Sequence, residues 1–144
     1  MSQKRCPFCH DYISSKEFDA HYEEHLQLRP DGQHEDYVTL PPDERTKDSL
    51  DKEPDTYIHT KCNVATQMPE EIIRSYLVNP YLYLSDKTFC TGCGIHVPNK
   101  ECYWMETGED LQSHMNRLRK QKPEYRPNLL IRILVLLIQH RWIK

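Results

Sequence analysis

Two pairs of residues with matching spacing give this sequence its clearest chemistry, which is metal binding. Cys90 and Cys93 belong to the stretch 89–94, a Cys-x2-Cys turn followed by glycine. Such a turn can present two thiolates to one metal ion, because glycine lets the backbone fold beneath the sulfur atoms. His59 and Cys62 repeat the spacing upstream. The pattern predicts a Cys3His zinc site made of these four residues.

Cys102 is the main rival of His59 as the fourth ligand, with His96 and His114 behind it. Without a fourth protein ligand, the three thiolates would leave a position open for water, as in hydrolytic zinc sites. Three possible acid–base groups lie nearby in the sequence: Glu106, Glu109 and His114. However, the sequence contains no His-Glu-x-x-His motif, deaminase signature or nucleophile elbow. We therefore expect no catalytic residues, and a zinc hydrolase is the second alternative.

A second set of ligands lies near the N-terminus, where Cys6 and Cys9 are followed by His21 and His25. The spacing Cys-x2-Cys-x11-His-x3-His suits a tetrahedral site with two thiolates on a turn and two imidazoles on a helix. The two histidines are four residues apart, so a helix projects them from one side. Together with the Cys3His set, this pattern predicts two Zn²⁺ ions.

The N-terminal stretch resembles the Cys2His2 zinc-finger family. A capping box formed by Ser14 and Glu17 predicts a helix that starts near Ser15. DNA-reading fingers have twelve residues between the second cysteine and the first histidine. The eleven found here are more similar to ubiquitin-binding zinc fingers, although those usually end in cysteine where this chain has His25. The resemblance implies a module that binds protein.

The charge of the predicted finger helix also favours a protein partner over DNA. Its outward positions carry four acidic residues against one lysine: Glu17, Asp19, Glu23, Glu24 and Lys16. DNA-binding fingers gain affinity by neutralising phosphates, and an acidic helix would be repelled.

Residues 57–122 resemble the zinc-ribbon and treble-clef families, which contain a metal-binding knuckle, a hairpin and a helix. Met68 and Pro69 begin a predicted helix, and residues 81–84 read as a short strand. Residues 95–97 and 102–104 flank a turn and predict a β-hairpin. A capping box at Thr107-x-x-Asp110 predicts a last helix, with three apolar residues on one face: Leu111, Met115 and Leu118.

The composition indicates how these modules are stabilised. Only 38% of the 144 residues are hydrophobic and the mean hydropathy is −0.81, so the core must be small. Small domains with thin cores usually need metals or disulfides. The chain opens without an apolar stretch, which favours metal ligation by its six cysteines in a reducing compartment. We expect a cytoplasmic protein, or a nuclear one if the source is eukaryotic.

Charge is distributed unevenly along the chain. Residues 31–55 contain nine acidic and three basic residues, and residues 113–144 contain eight basic residues and one acidic residue. The acidic stretch lies in a proline-containing segment, 29–56, which we interpret as a flexible linker with one weak edge strand at 37–40. The basic stretch offers a nucleic-acid-binding alternative through five residues: Arg117, Arg119, Lys120, Lys122 and Arg126.

Residues 129–138 form an apolar run interrupted by Arg132. As a helix, ten residues span about 15 Å, half of a bilayer core, so transmembrane insertion is not expected. A buried core segment, an oligomer contact and a membrane-surface helix all fit the run.

The sequence therefore predicts a small α+β protein with four segments: a finger at 1–28, a linker at 29–56, a Cys3His module at 57–122 and a tail at 123–144. The expected function is a zinc-stabilised, non-catalytic adaptor that binds another protein. A nucleic-acid binder is the first alternative.

Overall fold

The computed structural model describes residues 2–30 and 36–128. They form a small α+β fold with short antiparallel sheets, which confirms the predicted class. The strands are β1 (Gln3–Arg5), β2 (Tyr12–Ser14), β3 (Thr56–His59), β4 (Ala65–Gln67), β5 (Lys87–Cys90), β6 (Ile95–Pro98) and β7 (Cys102–Trp104). The helices are α1 (Phe18–Glu24), α2 (Glu70–Tyr76) and α3 (Leu111–Gln121). Two short 3-10 turns cover Asn99–Glu101 and Pro123–Tyr125. The first is called the 99–101 turn below.

The N-terminal part is a β-hairpin followed by a helix. β1 pairs with β2 so that Gln3 lies opposite Ser14. The predicted capping box is wrong, because α1 begins at Phe18 and its cap residue Glu17 makes no side-chain hydrogen bond. Ser14 still belongs to the strand, and its carbonyl accepts the Glu17 N–H at 3.0 Å. The chain thus makes a turn where the capping box predicted the first helical residues.

Two small sheets form the second part. β3 lies in the middle of one, with β4 and β7 on either side, while β5 pairs with β6 in the other. The predicted hairpin between 95–97 and 102–104 is wrong, since its two strands lie in different sheets. The 99–101 turn separates them, and it sends the chain from β6 to β7, where Cys102 pairs with His59.

The two further strands expected from alternation, 37–40 and 81–84, are also absent among the described residues. Side-chain hydrogen bonds hold both segments in place of the backbone hydrogen bonds of a β-sheet. The Tyr83 hydroxyl donates to the Val38 carbonyl, which joins one segment to the other. The Arg119 guanidinium donates to the Tyr83 carbonyl at 2.7 Å. These apolar residues therefore pack as irregular chain.

The two later helices follow the sequence more closely. α2 begins at Glu70 after Pro69, and Ile73 and Tyr76 are buried on its inner face. α3 begins after Asp110, whose carboxylate accepts the Ser113 N–H at 2.9 Å, so the cap is Asp110 itself and not Thr107 of the predicted capping box. The apolar core between the sheets and α3 contains Tyr57, Cys90, Val97, Cys102, Trp104 and Leu111.

Residues 36–56 contact α2 through hydrogen bonds. The Leu40 N–H donates to the Ser75 hydroxyl at 3.0 Å, and Arg74 donates to the carbonyls of Thr46 and Asp48. Thr39 is 7% exposed. Backbone groups of this proline-containing segment thus find partners on a helix rather than in a sheet. The division of the chain into four segments stays a prediction.

Candidate metal centres

Three turns of the same construction carry six of the eight predicted ligands. In each, the carbonyl of the first residue accepts the N–H of the fifth, at 2.7–2.8 Å. The fifth residue has a positive φ in every case: 69° at His10, 58° at Asn63 and 70° at Gly94. Glycine adopts this conformation at no steric cost, and asparagine and histidine tolerate it better than most residues. Residues one and four of each turn therefore project their side chains together.

The first cluster combines Cys6 and Cys9 from one turn with His21 and His25 from α1. Their ligand atoms all lie within 4.8 Å of one another. The Cys9 Sγ lies 3.3 Å from the His21 Nε2, which is 3.2 Å from the His25 Nε2. Two thiols and two imidazoles that converge in this way are a donor set that fits a metal ion.

The second cluster joins two of the turns. His59 and Cys62 come from the turn after β3, and Cys90 and Cys93 from the turn after β5; their ligand atoms also lie within 4.8 Å of one another. The His59 Nδ1 lies 3.4 Å from the Cys93 Sγ, and the Cys62 Sγ lies 3.4 Å from the Cys90 Sγ. His59 and Cys90 are buried. Three thiols and one imidazole form a donor set that fits zinc.

The backbone around the second cluster prepares one sulfur for metal binding. Burial raises the pKa of the Cys90 thiol, but hydrogen bonds from the Cys93 N–H, the Cys62 thiol and the Gly92 N–H outweigh burial and lower the pKa to about 7. Burial and the neighbouring thiols raise the pKa of Cys93 to about 11. Since the thiolate is the form that binds metal, Cys90 is the sulfur most readily deprotonated in this pair.

A carboxylate contacts one histidine of each cluster from outside. The Asp36 Oδ2 lies 2.9 Å from the His25 Nδ1, and the Glu101 Oε1 lies 3.0 Å from the His59 Nε2. Asp36 and Glu101 were not singled out in the sequence, because they lie 11 and 42 residues from their histidines and belong to no motif. The fifth residues of the turns could have been found in part, since Asn63 follows its ligand pair as Gly94 does.

The rival ligands of His59 lie elsewhere. Cys102 is fully buried in the apolar core, where burial raises its pKa to about 12. The His114 Nδ1 accepts the Trp104 indole N–H at 2.9 Å, and burial lowers the pKa of His114. The His96 ring packs edge-on against Phe89. The structure therefore brings His59, and none of these three, to the three thiols.

Two of the possible acid–base groups have structural partners. Glu106 accepts the N–H groups of Asp55 and Thr56, at 3.2 and 3.1 Å. Glu109 forms an ion pair with Arg117 at 2.9 Å. These contacts fix the start of β3 and a face of α3, and they are not directed at a metal cluster.

The predicted nucleic-acid-binding run is partly engaged within the chain. Arg117 pairs with Glu109, and Arg119 donates to the carbonyls of Pro80 and Tyr83. Lys122 donates to the Val78 carbonyl at 3.2 Å. The remaining two members of the run, Lys120 and Arg126, are exposed. Three of the five basic side chains thus contribute to the packing of α3.

A cavity of about 620 Å³ lies beside α2, and its lining includes Phe8, Tyr22, Ile72, Tyr76 and Leu84. The volume falls in the range of small-molecule pockets, about 300–1,000 Å³. Tyr76 is 2% exposed, and its hydroxyl has no hydrogen-bond partner among the described residues. The packing around this hydroxyl therefore leaves one polar atom unsatisfied.

No protein-family model, curated protein or solved structure matches this chain. In residues 2–30 and 36–128, every helix is too short or too polar to span a bilayer. The apolar run 129–138, for which a core segment, an oligomer contact and a membrane-surface helix were all considered, lies outside the described residues.

Proposed function

We propose that the protein binds two Zn²⁺ ions in closed structural sites and serves as a non-catalytic module that binds another protein. The observation that carries this proposal is the convergence of four sulfur and nitrogen donors, all within 4.8 Å of one another, in each of two clusters. Thiolate and imidazole donors suit zinc, and four protein ligands leave no position for a substrate water.

The small core supports a structural role for the metal. Within the described residues, the apolar core cluster of buried residues has six members, and two of them are the cysteines Cys90 and Cys102. Domains with so little apolar burial gain much of their stability from metal coordination. The second cluster joins the turn after β3 to the turn after β5, so a bound ion would tie the two sheets together.

The surface of α1 supports a protein partner. Four acidic side chains on and just before this helix are exposed: Glu17, Asp19, Glu23 and Glu24. These acidic side chains would repel nucleic acid and attract a basic protein surface. The resemblance to ubiquitin-binding zinc fingers extends the proposal to a finger of that type. Cysteines that bind metal rather than form disulfides extend it to a cytoplasmic location.

Native mass spectrometry of the full chain tests the metal sites. We expect two zinc ions in the wild type, and one ion each in the Cys9→Ser and Cys93→Ser variants. Cys9 contributes to the first cluster and Cys93 to the second, so the two variants serve as controls for each other. A wild-type protein that binds no zinc, or one ion only, would refute the proposal of two sites.

A binding titration with duplex DNA and single-stranded RNA tests the partner class. A nucleic-acid binder that neutralises several phosphates shows a steep fall in affinity as salt increases. We expect no such binding. If binding is found, and is weakened by replacing the exposed Lys120 and Arg126 with glutamine, the nucleic-acid alternative replaces the protein partner.

A further inference from the structure

Each metal cluster contains one histidine whose outward ring nitrogen faces a carboxylate. Asp36 lies 2.9 Å from the His25 Nδ1, and Glu101 lies 3.0 Å from the His59 Nε2. We infer that Asp36 and Glu101 are positioning residues that hold these two rings in their metal-binding orientation and strengthen zinc binding. This inference rests on the proposed zinc sites.

The ring nitrogens explain how the carboxylates act. An ionised carboxylate only accepts hydrogen bonds, so the nitrogen that faces it must carry the proton. The other nitrogen then keeps its lone pair for the metal. In His25 this second nitrogen is Nε2, and in His59 it is Nδ1. The two rings thus face their clusters with opposite nitrogens, and in both cases the carboxylate lies on the nitrogen outside the cluster.

Glu101 is held in place by the turn that carries its histidine. Its carboxylate lies 3.4 Å from the Lys61 ammonium, and its backbone carbonyl accepts the N–H and the hydroxyl of Thr60, each at 3.0 Å. All three contacts come from the turn that carries His59 and Cys62. The 99–101 turn is therefore fastened to the ligand-bearing turn by side-chain and main-chain contacts.

Burial also differs between the two pairs. The His59 side chain is 2% exposed and Glu101 is 21% exposed, whereas His25 is 15% and Asp36 is 48% exposed. A hydrogen bond to a charged group is stronger where water is excluded. Loss of such an outer partner typically costs about 10- to 100-fold in metal affinity. We expect Glu101 to lie within this range and Asp36 to lie at its lower end.

The test compares Glu101→Ala, Glu101→Gln and Asp36→Asn in the full chain. Zinc affinities come from competition with a chromophoric chelator, and the site affected is identified from the imidazole ¹⁵N signals of His25 and His59. Glu101→Ala should weaken the second site by about 10- to 100-fold and leave the first unchanged. Asp36→Asn should weaken only the first site. Glu101→Gln keeps an acceptor oxygen and should recover part of the affinity.

Glu109→Gln is the matched control, because it also removes one negative charge and its ion pair with Arg117 lies on α3. The ¹⁵N signals of zinc-loaded His59 should show the proton on Nε2 in the wild type and a weaker hydrogen bond in Glu101→Ala. A purely structural loss would leave this signal unaltered. If Glu101→Ala binds zinc as tightly as Glu109→Gln, the inference is wrong, while two-ion binding by the wild type would still support the proposed function.

Discussion

Replacing Gly92 with alanine should damage the second metal cluster directly. A Cβ atom at this position would lie 2.7 Å from both the Cβ and the Cγ2 of Val64, and 2.8 Å from the Cys62 Sγ. Carbon atoms in ordinary contact lie about 3.5–4.0 Å apart, so the neighbours would have to move by roughly 1 Å. Cys62 is a predicted zinc ligand, and the Val64 Cβ is bonded directly to the backbone and cannot move without it.

The size of the effect follows from this crowding. Inserting a methyl group into a filled space costs about 1–3 kcal/mol. Zinc binding and the folding of a small metal site are linked, so the strain should appear in the metal affinity. With about 1.4 kcal/mol for each factor of ten, the second site should lose about 5- to 150-fold in affinity.

Gly108→Ala provides the matched control. A Cβ at Gly108 would meet no atom within 4 Å, but φ there is 77°, a conformation that costs a non-glycine residue about 1–2 kcal/mol. This variant strains the backbone without crowding a ligand, so it should lose stability in thermal denaturation and lose less zinc affinity than Gly92→Ala. Chelator competition and the Co²⁺ absorption spectrum would be measured for both variants. Equal zinc affinities in Gly92→Ala and the wild type would refute the steric explanation.

Three further substitutions test residues outside the metal clusters. Cys102→Ala should leave two zinc ions bound in native mass spectrometry, because this thiol lies in the apolar core and not in a cluster. Asp110→Ala should lower the free energy of unfolding by about 1 kcal/mol at neutral pH, through loss of the helix cap. The hydrogen bond from Ser113 lowers the folded pKa of Asp110. Its contribution is thus complete above the unfolded pKa of about 4 and disappears as the pH falls through the lower folded value, so chemical denaturation should show the two proteins converging in acid. Tyr76→Phe should not destabilise the protein in the same assay, because the buried hydroxyl has no partner among the described residues, and a clear loss would reveal one.

The sequence indicated the ligand pairs well because local geometry determines each pair. A pair of ligands at x2 spacing needs only one tight turn, and the i, i+4 pair of His21 and His25 needs only one helix. The starts of α2 after Pro69 and of α3 after Asp110 depend on local signals in the same sense. Such features depend on a few neighbouring residues, which the sequence shows directly.

The errors concern pairings between distant residues. Strand-like alternation at 95–97 and 102–104 was correct for each strand, but β7 pairs with β3, more than forty residues away in the chain. Alternation cannot tell which strand becomes the neighbour. The contact between Glu101 and His59 depends on that same pairing, because it places the 99–101 turn beside the turn after β3. Motif analysis therefore could not identify Glu101 as a partner of His59.

The repeated turns also determine which parts of the chain a metal ion would cross-link. Each turn is closed by its own short hydrogen bond, so an ion at the second cluster has only two preformed pieces to join. Cys62 and Cys90 are 28 residues apart, and Cys9 and His21 are 12 apart. If zinc constrains the unfolded chain as a disulfide does, these loops correspond to about 3–4 and about 3 kcal/mol. The longer loop contains the whole of α2. Removal of zinc would thus release α2 and its contacts with residues 36–56, and a protease should cut the metal-free chain first between residues 63 and 89.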